Sequence, residues 1–291
     1  MIREINTVFK RKWKFRVAVL YPSVYRVAIT SLSFHMLYFL LNSFDEVFAE
    51  RFVLSRLRGE EIAPVSLETR TPLRGFDLIF VSVHSELDYV NIVRMLISAE
   101  IPVEREKRRK GPIVIVGGPA PMSNPAPLSR IADFVSIGEI EKVVPEVMDI
   151  FLEIGDIEKA KEEISRKEGI YLEGNKKVKR VYVKDLDSQA FQPIVQIQSL
   201  DQTGIFGRCF MIEESRGCPY RCAFCPVSRV FHPFRFRSKE VIEELIERGI
   251  RANKVRKVVF YSSSFFSNPE AEEILRFTVE KLKMENLSGS F

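Results

Sequence analysis

The chain has 291 residues, 46% hydrophobic and 29% charged, the balance of a soluble globular protein long enough for two domains. Its longest apolar run, around Met36–Leu41, falls far short of the ~18 residues that span a bilayer. The basic start MIREINTVFKRKWKF lacks the apolar stretch of a secretory leader, so a cytoplasmic protein is expected. A net charge of +5, from 44 basic and 39 acidic residues, leans mildly towards anionic partners without being a nucleic-acid signature.

In chain order, residues 1–14 form a basic leading segment and residues 15–155 alternate strand-like with helix-like runs. Strands are expected at Phe15–Pro22, Phe48–Leu54, Phe76–Val83, Pro112–Gly117 and Asp133–Gly138, and helices at Ser31–Phe44, Asp88–Ala99 and Ile140–Ile154. Phe76–Val83 and Pro112–Gly117 are apolar almost throughout, without period-two alternation, which marks strands covered on both faces. The expectation is a five-stranded, doubly wound, Rossmann-like parallel α/β sheet, a fold that binds ligands at the carboxyl ends of its strands. Those ends carry Ser82 and His84, then Gly117, Gly118 and Pro119, then Gly138 and Glu139. Neither G-x-G-x-x-G nor G-x4-G-K-[ST] is present, which argues against dinucleotides and nucleoside triphosphates. A tight strand-to-loop turn also asks for glycine at 117 and 118 whatever is bound.

Residues 156–208 join this domain to the next. DIEKAKEEISRK reads as a charged, solvent-facing helix, and GIYLEG with KVKRVYVKDLD as a hairpin turning at Gly174 and Asn175. The basic stripe Lys176, Lys177, Lys179, Arg180 and Lys184, interleaved with valines, fits a half-exposed strand better than RNA binding, and KRRK at 107–110 reads as a solvated loop. Residues 187–208, with Gln189, Gln192, Gln196, Gln198 and Gln202, read as an extended linker. From residue 209 a second α/β series begins. A helix is expected from Lys239 to Ala252 with Ser238 as N-cap. The strand KVVFYSSS follows, then a helix from Asn268 and Pro269 to Glu285.

ESRGCPYRCAFCP, residues 214–226, is the most informative run. It sets Cys218, Cys222 and Cys225 at C-x3-C-x2-C, just after the apolar stretch Cys209–Ile212. Three thiolates on one tight loop can hold three irons of a 4Fe–4S cube and leave the fourth without a protein ligand. Phe224 can cover one cluster face. Zinc held by the same thiols with His232 or Cys209 is the bland alternative, but structural zinc favours two separated ligand pairs. Disulfides suit three crowded cysteines poorly, and Cys209 reads as a buried strand residue.

The run resembles the cluster loop of the radical S-adenosylmethionine (radical SAM) enzymes. That resemblance implies that the open iron is chelated by the methionine group of SAM. It also implies that one electron, from a donor such as flavodoxin or ferredoxin, cleaves SAM to a 5′-deoxyadenosyl radical that abstracts hydrogen from a substrate. It places Ser262, Ser263 and Ser264 where relatives meet the SAM amino group, although the G-G-E pattern found there in relatives is absent. The segment FHPFRFR resembles the strand that follows the cysteines in the family, so its aromatics are expected to pack.

The first domain resembles the cobalamin-binding domain that precedes the barrel in one large radical SAM subclass, through LYPSVYRVAITSLSFHMLYFLLN, VGGPAPMSNPAPL and FVSIGEIEKVVPEV. By that resemblance Ser82, Gly117, Gly118, Gly138 and Glu139 are candidates to line cobalamin. The D-x-H-x-x-G motif that ligates cobalt is missing. SLSFHML offers His35 out of register and in an apolar helical run, where a packed histidine is expected, and His84 is expected as a polar lining residue. A barrel in this family has six β/α units and residues 209–291 supply about two, so a fragment of a longer protein is expected. The readings are a radical SAM enzyme in methyl transfer, sulfur insertion or carbon-skeleton chemistry, or a non-catalytic cluster- or corrinoid-binding fragment that needs a second polypeptide.

Overall fold

The computed structural model describes residues 2–56, 59, 62–108, 111–174, 177–201 and 204–291. Arg109 and Lys110 of the basic loop, Asn175, Lys176 and Gln202 lie outside the described residues. The chain packs as two units, one of residues 8–28 and 37–182, the other of residues 1–7, 29–36 and 183–291. The 156–182 segment thus belongs with the first sheet and 183–208 with the second.

The first unit is a sheet of β1 (Phe15–Val24), β2 (Val47–Leu54), β3 (Leu78–Ser82), β4 (Ile113–Gly117), β5 (Phe134–Ser136) and β6 (Ile170–Tyr171), in the order β2-β1-β3-β4-β5-β6. The first five strands run parallel, and β6 is antiparallel to β5. Val17 to Leu20 are wholly buried, as a strand covered on both faces requires. Helices α2 (Asp88–Ser98) and α3 (Ile140–Ile154) fall where the sequence placed them, after α1 (Leu32–Asn42). Gly155, at φ 67°, ends α3, and Asp156 caps α4 (Ile157–Ser165) by accepting from the Lys159 amide. Strand order reverses between β1 and β3, the switch point where such folds hold ligands.

Two expectations change here. Among the described residues, 169–183 do not pair with each other as a hairpin; both arms bond to the end of β5 instead. β6 ladders antiparallel onto it, while Val181 exchanges hydrogen bonds with Ile137 and Glu139 (3.2 and 3.0 Å). Arg108, expected in a solvated loop, is buried and donates to the carbonyls of Pro102 and Val103 and to Asp133 Oδ2 (2.9, 2.8 and 2.9 Å).

The second unit holds a parallel sheet of β7 (Phe210–Glu213), β10 (Lys257–Tyr261) and β11 (Ser288–Ser290), in the order β11-β10-β7. The short pair β8 (Ser215–Arg216) and β9 (Arg235–Phe236) lies between β7 and α5 (Lys239–Asn253), and α6 (Ala271–Met284) joins β10 to β11. Strands and helices alternate here in β/α order. Ser238 caps α5 through the Val241 amide (3.4 Å). α6 begins later than expected, and Asn268 instead accepts from the Glu270 amide (2.9 Å). The stretch read as a linker is a strap along the free edge of β7. Gln196 both accepts from the Met211 amide and donates to its carbonyl (2.9 and 2.7 Å), Gln192 accepts from the Glu213 amide (3.1 Å), and Gln198 donates to the Cys209 carbonyl (3.1 Å). Side-chain amides thereby satisfy backbone groups that an unpaired edge leaves open.

Candidate functional site

The carboxyl ends of β7 and β10 lie side by side: Glu213 is in register with Tyr261, the Glu214 amide donates to the Tyr261 carbonyl (3.0 Å), and the Ser215 and Ser262 hydroxyls are 2.9 Å apart. The cysteine loop leaves this rim at β8 and returns at β9, so the β8–β9 ladder closes its base. Gly217 has φ 81°, and a Cβ there would lie 2.6 Å from the Phe231 carbonyl oxygen, which is why glycine precedes Cys218. The buried Arg235 guanidinium donates to the carbonyls of Pro233 (3.0 Å) and Val183, and Arg237 to those of Glu213 (3.0 Å), Leu186 and Ala190 (3.3 Å). These arginines of FHPFRFR are internal clamps rather than a surface for bases.

On that base the three thiols are free, Cys222 exposed and Cys218 and Cys225 half-buried, with the Cys225 amide turned back onto the Cys222 carbonyl (3.1 Å). In ligand type and spacing they suit an iron–sulfur cluster. Their geometry is open: among the described residues no three His, Cys, Asp or Glu side chains gather closely enough to hold a metal ion. That applies equally to zinc with His232 or Cys209. Cys209 is buried, and burial pushes its thiol up to about 11. Phe224 is 90% exposed.

Ser262 bonds Ser215 and accepts from the Ser264 amide (3.2 Å), Ser264 pairs with Ser267 (2.7 Å), and Ser263 is exposed. Two residues beside them carry no sequence signal. Glu213 forms a two-point ion pair with Arg216 (2.7 and 2.8 Å). Glu214 is wholly buried; Asn268 Nδ2 donates to its Oε1 (2.6 Å), Oε2 has no hydrogen bond, and burial raises its pKa although Ser215 and Ser262 lie near enough to oppose the shift.

In the first unit, Ser82 lies at the β3 end with its hydroxyl 3.5 Å from His84 Nε2, and the His84 ring is 5.5 Å from Tyr21 at the end of β1. His84 is exposed at its edge yet crowded enough that desolvation lowers its pKa. Tyr21, Ser82 and His84 therefore mark the switch point. The glycines there have internal reasons: a Cβ on Gly118 (φ 119°) would lie 2.2 Å from the Val83 oxygen, one on Gly138 2.4 Å from Val181, and one on Gly117 3.3 Å from Ser136. Glu139 is buried and paired to Arg180 (2.7 Å). His35, which belongs to the second unit, is a core residue there, with Nε2 2.9 Å from the Ile29 carbonyl and Nδ1 3.3 Å from the Ile197 amide.

Comparison with known proteins places this arrangement. Residues 33–183 match the family of radical SAM proteins, N-terminal, and residues 212–289 match the radical SAM superfamily. The chain belongs to the radical SAM superfamily. It is 32% identical over 250 residues to an uncharacterized protein of Methanocaldococcus jannaschii, covering 85% of this chain and 49% of that one. Its fold is similar to that of the radical S-adenosylmethionine methyltransferase TsrM from Kitasatospora setae. The TM-score is 0.58 at 16% identity, both with tryptophan substrate and a SAM analog bound (91% of this chain, 51% of that one) and with cobalamin and a [4Fe-4S] cluster bound (92% and 53%). The chain spans about half the length of the curated relative it matches.

Proposed function

We propose that this chain holds a 4Fe–4S cluster through Cys218, Cys222 and Cys225, receives SAM beside it, and serves radical chemistry such as methyl transfer or sulfur insertion. The observation that carries the reading is the position of the three free thiols. They lie on a clamped loop at the carboxyl rim of a parallel β/α sheet, within the segment that matches the superfamily. When bound, the cluster supplies an electron that cleaves SAM to a hydrogen-abstracting radical. The chain's own residues prepare the place. Arg235, Arg237 and Gly217 fix the ends of the loop, while its tip must draw in to gather the thiols, so metal uptake and loop ordering are coupled. Phe224 folding over the loop would exclude water, and the hydroxyls of Ser262, Ser263 and Ser264 offer hydrogen bonds to a polar ligand at the rim.

Likeness to the cobalamin-bound TsrM structure supports extending the proposal to a corrinoid in the first unit. Tyr21, Ser82 and His84 would face it, with Gly117 and Gly118 shaping the turn. Gly138 and Glu139 would support from behind, since Val181 and Arg180 already cover them. A small flavodoxin- or ferredoxin-type donor in the cytoplasm would supply the electron. The experiment is anaerobic reconstitution of the chain. Near four irons with matching sulfide are expected, with broad absorbance near ~400 nm, lost in Cys218→Ser, Cys222→Ser or Cys225→Ser but kept in Cys209→Ser. Stoichiometric zinc without acid-labile sulfide overturns the reading.

A further inference from the structure

Residues 6–14, the arm that leads into β1, are irregular in backbone yet pinned along their length. The Val8 amide donates to Tyr38 Oη (2.8 Å), the Lys14 amide to the Glu46 carbonyl (2.7 Å), and the Lys10 and Lys14 ammonium groups to the carbonyls of Phe44 and Leu152. The arm displays Phe9, 74% exposed, and Trp13, 40% exposed. Both rings rest on the buried Phe48, at 6.2 and 5.1 Å between centroids. Exposed aromatics held at fixed angles form a shelf with little entropy left to lose on binding. Between them, exposed Arg11 and Lys12 form no ion pair among the described residues. Acidic groups near the arm are few: Glu46 is 3.8 Å from Lys14, Asp45 acts on Lys10, and Glu50 is paired to Arg16.

We propose that this arm binds single-stranded nucleic acid, stacking bases on Phe9 and Trp13 while Arg11 and Lys12 meet the phosphates. π-faces interleaved with cations suit a flexible strand whose bases are free to unstack. An anionic membrane surface is the poorer match, because the arm is pinned and irregular, not an amphipathic helix able to sink its apolar face. The other basic–aromatic run, FHPFRFR, has Arg235 and Arg237 buried.

Trp13 is the single tryptophan of the chain, so its emission reports the site directly. The full chain is titrated with a labelled 12-nucleotide single strand, as RNA and as DNA of one sequence, following tryptophan emission and oligonucleotide anisotropy together. Saturable quenching that parallels anisotropy with either strand is expected. Phe9→Ala should weaken binding about tenfold. The double variant Arg11→Ala/Lys12→Ala should flatten the slope of log affinity against log salt by about 1.4, at roughly 0.7 per lost phosphate contact. Both changes fall on exposed side chains, and unchanged thermal melting confirms folding. The proposal is overturned if neither strand quenches Trp13. It is equally overturned if binding is indifferent to Phe9, or if heparin or phosphatidylglycerol vesicles quench as strongly as the strands.

Discussion

Glu214 is the residue on which burial and hydrogen bonding disagree. Its buried Oε2 has no hydrogen bond, and burial raises its pKa above the ordinary 4.5. The folded protein therefore holds a proton that the unfolded chain releases between 4.5 and the raised value. Stability from this group is complete below pH 4.5 and is lost as pH rises through the folded-state pKa. Glu214→Gln keeps an acceptor for Asn268 and offers an amide N–H to the neighbouring seryl oxygens. In urea melts it should be more stable than the parent by about 1–3 kcal/mol at pH 8, the scale of one unmet buried polar group, and equal to it near pH 4. A loss at pH 8 would mean that the ionised carboxylate is needed. The cysteines separate just as clearly: with iodoacetamide at pH 8 under reducing conditions, exposed Cys222 should alkylate first. Cys209, buried and pushed up to about 11, should stay unmodified by mass spectrometry until the fold opens.

At the scale of elements, helix α5 depends on one small residue. A Cβ on Gly249 would lie 2.0 Å from the Phe210 ring, so the glycine lets the helix settle onto β7. Alanine is the better helix former by about 1 kcal/mol, yet overpacking costs about 1–3 kcal/mol. Gly249→Ala should therefore lower the melting temperature, and a rise would show that Phe210 swings away freely. The regular elements were legible in sequence because burial on both faces writes itself as unbroken apolar runs, as in Ile113–Gly117, and because α3 carries its stop at Gly155. The 169–183 segment was misread because alternation reports a half-buried strand without naming its partner, and here both arms chose β5. The Gln192–Gln198 strap was visible only as composition. Amides that replace a strand's ladder leave no hydrophobic period. The cysteine spacing was plain, whereas Glu214, set by three-dimensional neighbours, had no local signature.

At the scale of the whole molecule, two largely parallel sheets place candidate ligand sites at the carboxyl ends of their parallel strands. Among the described residues the second sheet has three strands, and the rim beside its cysteine loop is open, with Cys222 and Phe224 facing solvent. A reactive radical requires exclusion of water. Reconstituted chain with dithionite and SAM should therefore release little 5′-deoxyadenosine; robust turnover by the chain alone would show that the rim closes by another route.

The three-cysteine site is tested most directly by electron paramagnetic resonance of the reduced, reconstituted chain with and without SAM. An iron lacking a protein ligand should take the methionyl group, so the cluster signal should shift on adding SAM in the parent and in Cys209→Ser, and be absent from Cys222→Ser. A cluster signal that ignores SAM, or one that survives in Cys222→Ser, would contradict a cube held by Cys218, Cys222 and Cys225 with its fourth iron open.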